Sequence, residues 1–327
     1  MLYDLTARDA CFAEGRPPAD IDELLQWSRL HLDGRPPWRL ISARRKFGRV
    51  LLEIEEDAPS GPRRLIGKFA DYGRAATLYQ TLRSLRDAGF APPERYTVPE
   101  PVAFVGERGF VLQEKVPGEQ AAQLLTKEDT GRSAAVDSAN WLAALRYCRL
   151  QAPSSGSQPQ PVLDWVNDLV STQPSEAGRI RRIADAIVCE LAQPASGFVP
   201  CHGDFHPKNI FIANPERVTA IDIDKFGMRE PESDVAWFLM QAAAFGFFER
   251  GSFECTDAAR RTFIEQYEGK VGRPMRSKRL RMYMAMAFLK NLHFELVLLK
   301  TGRKHYADPW LRGAESAIID GNLHLTP

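Results

Sequence analysis

CHGDFHPKNIFIANPERVTAIDID, residues Cys201–Asp224, places His202, Asp204 and Asn209 in one short cluster and follows it with Asp222 and Asp224. Moving a phosphoryl group needs a carboxylate beside the attacking hydroxyl and hard oxygen ligands for the magnesium that travels with the nucleotide. Asp204 meets the first need, and Asn209 with Asp222 the second. The apolar run Val218–Ile223 reads as a strand that carries the acid. Positions two apart in an extended chain share a face, so Asp224 is a further candidate metal ligand beside Asp222. A hydrogen-bonded structural carboxylate is its other reading.

The spacing His-x-Asp-x-x-x-x-Asn resembles the catalytic loop of protein kinases. With Gly203 after the histidine and His206-Pro207 in the middle, it is similar to the aminoglycoside-phosphotransferase and choline-kinase-like branch of the kinase fold. The segment EPESDVAWFL (Glu230–Leu239) strengthens the match, because Pro231, Asp234 and Ala236 fall where that family keeps its post-strand acid and alanine. The tripeptide His-Gly-Asp alone recurs by chance. The ordered set of loop, metal-binding acid and post-strand acid is specific. The resemblance implies that Asp204 is the catalytic base or hydroxyl-orienting group, that Asn209 and Asp222 hold Mg2+, and that ATP or GTP is the donor. It also implies support roles for His202 and His206, and for Asp234 a brace on the loop through backbone hydrogen bonds.

Upstream the chain changes character. Trp38–Ser42, Val50–Glu55 and Arg64–Ala70 read as strands, with DAPSGP (Asp57–Pro62) as a hairpin loop. Arg74–Ala88 carries Leu78, Leu82 and Leu85 on one helical face, and Pro101–Val105 and Gly109–Glu114 form another strand pair. This is the element order of a kinase small lobe. In that family the phosphate-contacting lysine lies on the third strand, which implicates Lys68. LQEKVPGE (Leu112–Glu119) resembles the hinge, which makes Gln113 and Lys115 candidate nucleotide contacts. Beyond it helices dominate: Ala134–Arg149, Val162–Val170, Glu176–Leu191, Asp234–Phe248, Asp257–Tyr267 and Lys278–Leu299. The expected fold is therefore α+β and bilobal, a small antiparallel β-sheet lobe over 36–114 and a larger, mainly helical lobe over 115–327. A leader and helix, including IDELLQWSRL (Ile21–Leu30), precede them in 1–35.

Two departures stand out. ARRKFGRV (Ala43–Val50) holds one glycine where protein kinases have a glycine-rich loop, and its basic residues suit either nucleotide phosphates or a solvated face. The family helix after the lysine strand normally carries a glutamate that pairs with the lysine. Here Gln80 stands near that position, and Asp71 precedes the helix.

Composition narrows the classes further. The chain has 327 residues, 44% hydrophobic, and a net charge of +1, which gives no argument for a nucleic-acid or membrane-surface partner. The five cysteines are scattered and odd in number, the pattern of reduced thiols. Cys201 reads as a small buried residue ending a strand. The longest apolar segment, Met282–Leu299, is interrupted by Lys290, Asn291, His293 and Glu295, so it does not read as a membrane span. These features suggest a cytoplasmic protein acting on a small-molecule hydroxyl acceptor. Two alternatives stand beside that reading: a non-catalytic nucleotide-binding module, which the missing helix glutamate favours, and a protein kinase. The short span from Asp222 to Pro231 leaves little room for a peptide-docking activation segment.

Overall fold

Alternation sets the first sheet. In VLLEIEE, Val50, Leu52 and Ile54 are buried, and the charged Glu53 and Glu55 project from the opposite face. In the computed structural model, which describes residues 38–46, 49–59, 61–106, 109–150, 160–195, 197–213, 217–275 and 277–319, this stretch is the second strand of a five-stranded sheet. The strands are β1 (Trp38–Lys46), β2 (Arg49–Ala58), β3 (Gly61–Phe69), β5 (Pro101–Val105) and β6 (Phe110–Glu114). They run in the order β1-β2-β3-β6-β5, and all pairs are antiparallel. One face packs Val50, Leu52, Ile54, Leu65, Phe69, Phe110 and Leu112 into a core. The expected hairpin loop at Asp57–Pro62 is shorter than its Pro and Gly residues suggest, because β2 runs to Ala58 and β3 begins at Gly61. Helix α1 (Tyr72–Asp87) turns Ala75, Leu78, Leu82 and Leu85 inward, and Asp71 caps it by accepting from the Arg74 N–H at 3.0 Å. The helix proposed for 21–30 and the glycine of the basic turn lie outside the described residues.

These strands and α1 form one compact unit, Met1–Ala91 with Val98–Val116. The other is Pro92–Thr97 with Pro117–Pro327. In this second unit β4 (Tyr96–Thr97), β7 (Glu119–Gln120), β9 (Ile210–Ala213) and β10 (Arg217–Ala220) form a sheet in the order β4-β10-β9-β7. A two-stranded ribbon pairs β8 (Val199–Cys201) with β11 (Gly227–Arg229). The short β4 is tied in by a buried Thr97–Thr219 hydroxyl pair at 2.8 Å and by the Trp141 indole, which donates to the Thr97 carbonyl at 2.9 Å.

The helices are α2 (Ala121–Leu125), α3 (Glu128–Arg146), α4 (Gln160–Thr172), α5 (Ala177–Leu191), α6 (Pro231–Arg250), α7 (Asp257–Val271), α8 (Ser277–His293) and α9 (Ala307–Ile319). Pro231 opens α6 at a position where its missing N–H costs nothing. Buried Leu280, Met284, Phe288 and Leu292 run along α8, as in a helix enclosed by others. A π-helical turn, Phe294–Leu298, extends it, and α9 is a helix that apolar periodicity in the tail did not single out. Among the described residues no helix is long and apolar enough to cross a membrane.

Candidate active site

Strand β8 delivers the chain into the His202–Asn209 loop, and the loop is held from three directions. Asp234, in the first turn of α6, accepts the His202 N–H on Oδ2 at 2.6 Å and the Gly203 N–H on Oδ1 at 3.0 Å. His202 is fully buried, with Nε2 at 2.9 Å from the Ile221 carbonyl, and its Nδ1 accepts the Asp204 N–H at 3.2 Å. That pattern fixes the tautomer protonated on Nε2. Phe205 is buried between Trp141 and Phe238, stacked on both at centroid distances of 5.5 and 5.7 Å. Gly203 has φ +82, and a Cβ there would stand 2.2 Å from the Lys225 carbonyl oxygen. We therefore expect Gly203→Ala to cost about 1–3 kcal/mol in chemical unfolding, since both strain and a backbone clash must be relieved.

Asp204 leaves this loop with both carboxylate oxygens engaged. The Trp237 indole donates to Oδ1 at 2.9 Å, and the Lys225 ammonium donates to Oδ2 at 3.0 Å. The side chain stays 22% exposed, so a ligand can still reach it. Burial works against its ionisation, and His206, Lys225 and Lys290 together draw the carboxyl well below the usual carboxylate range. His206 adds to the effect only when protonated. Burial pulls its own pKa down to about 4, so near neutral pH it is uncharged. Lys290, from α8, sits over the Trp237 ring with Nζ 3.9 Å from the centroid. Burial lowers Lys290 to about 8, Lys225 and Arg229 add to that, and Asp204 opposes it.

Asn209 is buried at the end of the short 3-10 turn Pro207–Asn209, directly before β9. Its Nδ2 donates to the Asp204 carbonyl at 3.1 Å, which leaves Oδ1 as the amide atom available to a cation. The Ile221 N–H donates to the Asn209 carbonyl at 2.8 Å, so the β9–β10 ladder brings Asn209 next to the residue preceding Asp222. Asp222 adopts φ +60, a left-handed conformation unusual for a residue other than glycine. The strand expected through Ile223 ends at Ala220 instead. This corrects the basis for pairing Asp222 with Asp224: the chain there is not extended, so alternation does not put the two acids on one face. Among the described residues no group of three or more His, Cys, Asp or Glu side chains forms a metal cage. An amide oxygen with one or two carboxylates nonetheless fits magnesium, which keeps several waters and takes other oxygens from phosphates. Cys201 is buried beneath the loop, and burial pushes its thiol well up, so it stays un-ionised.

The remaining predicted residues lie in the sheet unit. Lys68 is 8% exposed and faces away from the apolar core, opposite Leu51 and Val111. Gln113 is buried on the same face, and its Oε1 has no hydrogen-bond partner among the described residues. Lys115 is drawn into an ion-pair ladder: its ammonium is 2.6 Å from Glu53, Glu53 also binds Arg64 at 2.8 Å, and Arg64 binds Glu55 at 2.7 Å. Gln80 is exposed on α1, whose first turn has no acid, so the expected position of a helix glutamate is unfilled in this chain.

Sequence reasoning missed Trp237, Lys225 and Lys290. Trp237 follows Asp234 by three residues, which puts both on one side of α6. Lys225 directly follows the Asp222–Asp224 triplet.

A unit with a five-stranded antiparallel sheet and one main helix, and a mainly helical unit carrying this loop, together define a kinase-like fold. Over residues 22–277 the chain matches the phosphotransferase enzyme family, and it belongs to that family. Its fold resembles a choline/ethanolamine kinase family protein from Mesorhizobium loti (17% identity over 92% of this chain and 98% of that one, TM-score 0.60). Choline kinase LicA from Streptococcus pneumoniae is similar (15% identity, 91% and 99% covered, TM-score 0.61). So is the spectinomycin phosphotransferase APH(9)-Ia solved with ADP and spectinomycin (13% identity, 94% and 97% covered, TM-score 0.56). No curated protein is significantly similar.

Proposed function

We propose that this phosphotransferase moves the γ-phosphoryl group of ATP or GTP to a hydroxyl of a small molecule, in a Mg2+-dependent reaction. The observation that carries this reading is the Asp204 carboxylate, fixed on a braced loop by Trp237 and Lys225 and still open to a ligand. The acceptor oxygen would attack the γ-phosphorus as the bond to the leaving nucleoside diphosphate breaks, and the hydroxyl proton would pass to Asp204. A carboxyl held this far toward its ionised form is a weak base. Its work is chiefly to align the hydroxyl, with proton uptake late, as a loose phosphoryl-transfer transition state requires.

Asn209 Oδ1 and Asp222 would hold the magnesium, which neutralises charge on the phosphates. Lys68, Gln113 and Lys115 are proposed to contact the nucleotide, Lys68 through its charge and Gln113 through its unpartnered Oε1. Asp224 is assigned the smaller part. His202, His206 and Asp234 would support the loop, and the two functional halves would divide near residue 115.

The test is phosphoryl transfer by the purified chain across hydroxyl acceptors, with magnesium varied. Asp222→Ala is expected to lose far more activity than Asp224→Ala, and equal losses would mean that both acids hold metal. Nucleotide binding that ignores magnesium and survives both changes would overturn the assignment. Binding of Mg-nucleotide without transfer to any acceptor would favour a regulatory nucleotide-binding module instead.

A further inference from the structure

The groups around Asp204 carry more positive charge than one carboxylate needs. Lys225 is the cation that binds it directly. Lys290 lies over the Trp237 ring, and among the described residues it forms no direct ion pair with a carboxylate. Arg229, at the end of β11, reaches back to the Lys225 carbonyl with Nη2 at 3.1 Å, while its buried Nε–H has no acceptor among the described residues. Contacts link these cations into one cluster: Arg229 bonds the Lys225 backbone, Lys225 bonds Asp204, and Asp204 bonds the indole that carries Lys290.

Neighbouring acids restore the balance only in part: Asp204 and Asp234 both act on Lys290, and Arg229 acts on Asp234. Both oxygens of Asp234 are occupied by the His202 and Gly203 N–H groups, and its burial disfavours the charged form. Glu295, just beyond α8, is raised by burial, and the cations acting on it are Arg303 and Lys208. Asp222 and Asp224 are the acids assigned to magnesium under the phosphotransferase reading. A buried ammonium resting on an indole, and a guanidinium N–H with nothing to bond, are costly arrangements unless a ligand completes them.

We propose that the hydroxyl acceptor carries an oxyanion of its own, a carboxylate or a phosphate, received by the Lys290 ammonium and the Arg229 guanidinium beside Asp204. This rests on the phosphotransferase reading and names its substrate class. The same cations would repel amino alcohols and aminoglycosides, which bring positive charge to the place where these two stand. Trp237 couples the parts, because the ring that holds Lys290 is the one that orients Asp204. An anion seated on Lys290 would place its hydroxyl next to the carboxylate that aligns it.

The test offers the purified full chain Mg-ATP with matched acceptors: a hydroxy acid, a sugar phosphate, a neutral polyol, choline and an aminoglycoside. The hydroxy acid or the sugar phosphate should exceed the polyol in kcat/KM by about tenfold or more, choline and the aminoglycoside should fall below it, and the better of the two anions identifies the oxyanion. Lys290→Met keeps the aliphatic stem over the indole. It should raise KM for the anionic acceptor about ten- to a hundredfold, as expected for a lost charged hydrogen bond. KM for ATP should stay within a few-fold, which also reports a folded protein. Arg229→Gln should shift the same parameter in the same direction.

Choline or the aminoglycoside as the best substrate would overturn the proposal. So would an unchanged KM for the anion in both variants, or an equal loss of kcat with every acceptor. Transfer to no acceptor despite Mg-ATP binding would instead overturn the phosphotransferase reading, and this inference with it.

Discussion

Asp204→Asn is expected to lower turnover about a hundredfold or more while ATP affinity changes no more than a few-fold. In the native site both carboxylate oxygens accept, one from the Trp237 indole and one from the Lys225 ammonium. An asparagine has one accepting oxygen and one donating NH2. Whichever way the amide turns, its NH2 meets a donor, so the side chain loses a hydrogen bond as well as its charge. The acceptor hydroxyl then has no anion to align it or to take its proton. Nucleotide binding does not depend on this contact, and the loop stays braced through His202 and Gly203 on Asp234. Measuring kcat and ATP affinity on one purified variant separates the outcomes. Full turnover with collapsed ATP binding would make Asp204 a structural residue.

The parts of this protein most legible in its sequence are those with a local period or a fixed spacing. Short apolar runs bounded by turn residues located β2, β3 and β6. The loop was legible because its chemistry needs Asp204, Asn209 and Asp222 in a set order. What stayed hidden depends on long-range geometry. Nothing near Asp204 in sequence signals that Trp237 and Lys290 converge on it from two different helices. One trace was present: Lys290, Asn291 and His293 interrupt an otherwise apolar stretch. Each answers to a distant partner, Lys290 to the Trp237 ring, Asn291 to the Trp310 indole at 3.3 Å and His293 to Asp168 at 2.8 Å. Polar residues inside an enclosed helix are costly alone, so each points to a partner elsewhere in the fold. The left-handed turn at Asp222 was likewise beyond a reading that extended the strand by its apolar content.

The largest expected loss of stability lies away from the reacting atoms, at Arg279 on α8 and Glu230, the residue that precedes α6. Both are essentially enclosed, with side-chain exposures of 2% and 0%. The pair is bidentate, Nε to Oε2 at 2.6 Å and Nη2 to Oε1 at 2.5 Å. The same guanidinium also donates to the Glu190 and Leu191 carbonyls at the end of α5. One side chain thus joins α5, α6 and α8, and two of these carry Asp234, Trp237 and Lys290. Arg279→Met leaves Glu230 buried without its counter-charge and removes a donor from the Glu190 and Leu191 carbonyls, the first of which keeps the Gln193 N–H, a change that typically costs about 3–5 kcal/mol. For a unit of this size that is a fall in melting temperature on the order of 10 °C. Adding Glu230→Leu removes the stranded charge, so the double variant should recover a large part of the loss. Unfolding of the native chain, both single variants and the double variant completes the cycle. Strictly additive losses would mean that the two side chains act only as packing. A coupled cycle accompanied by impaired turnover in Arg279→Met would instead tie the α5–α6–α8 junction to the alignment of Asp204.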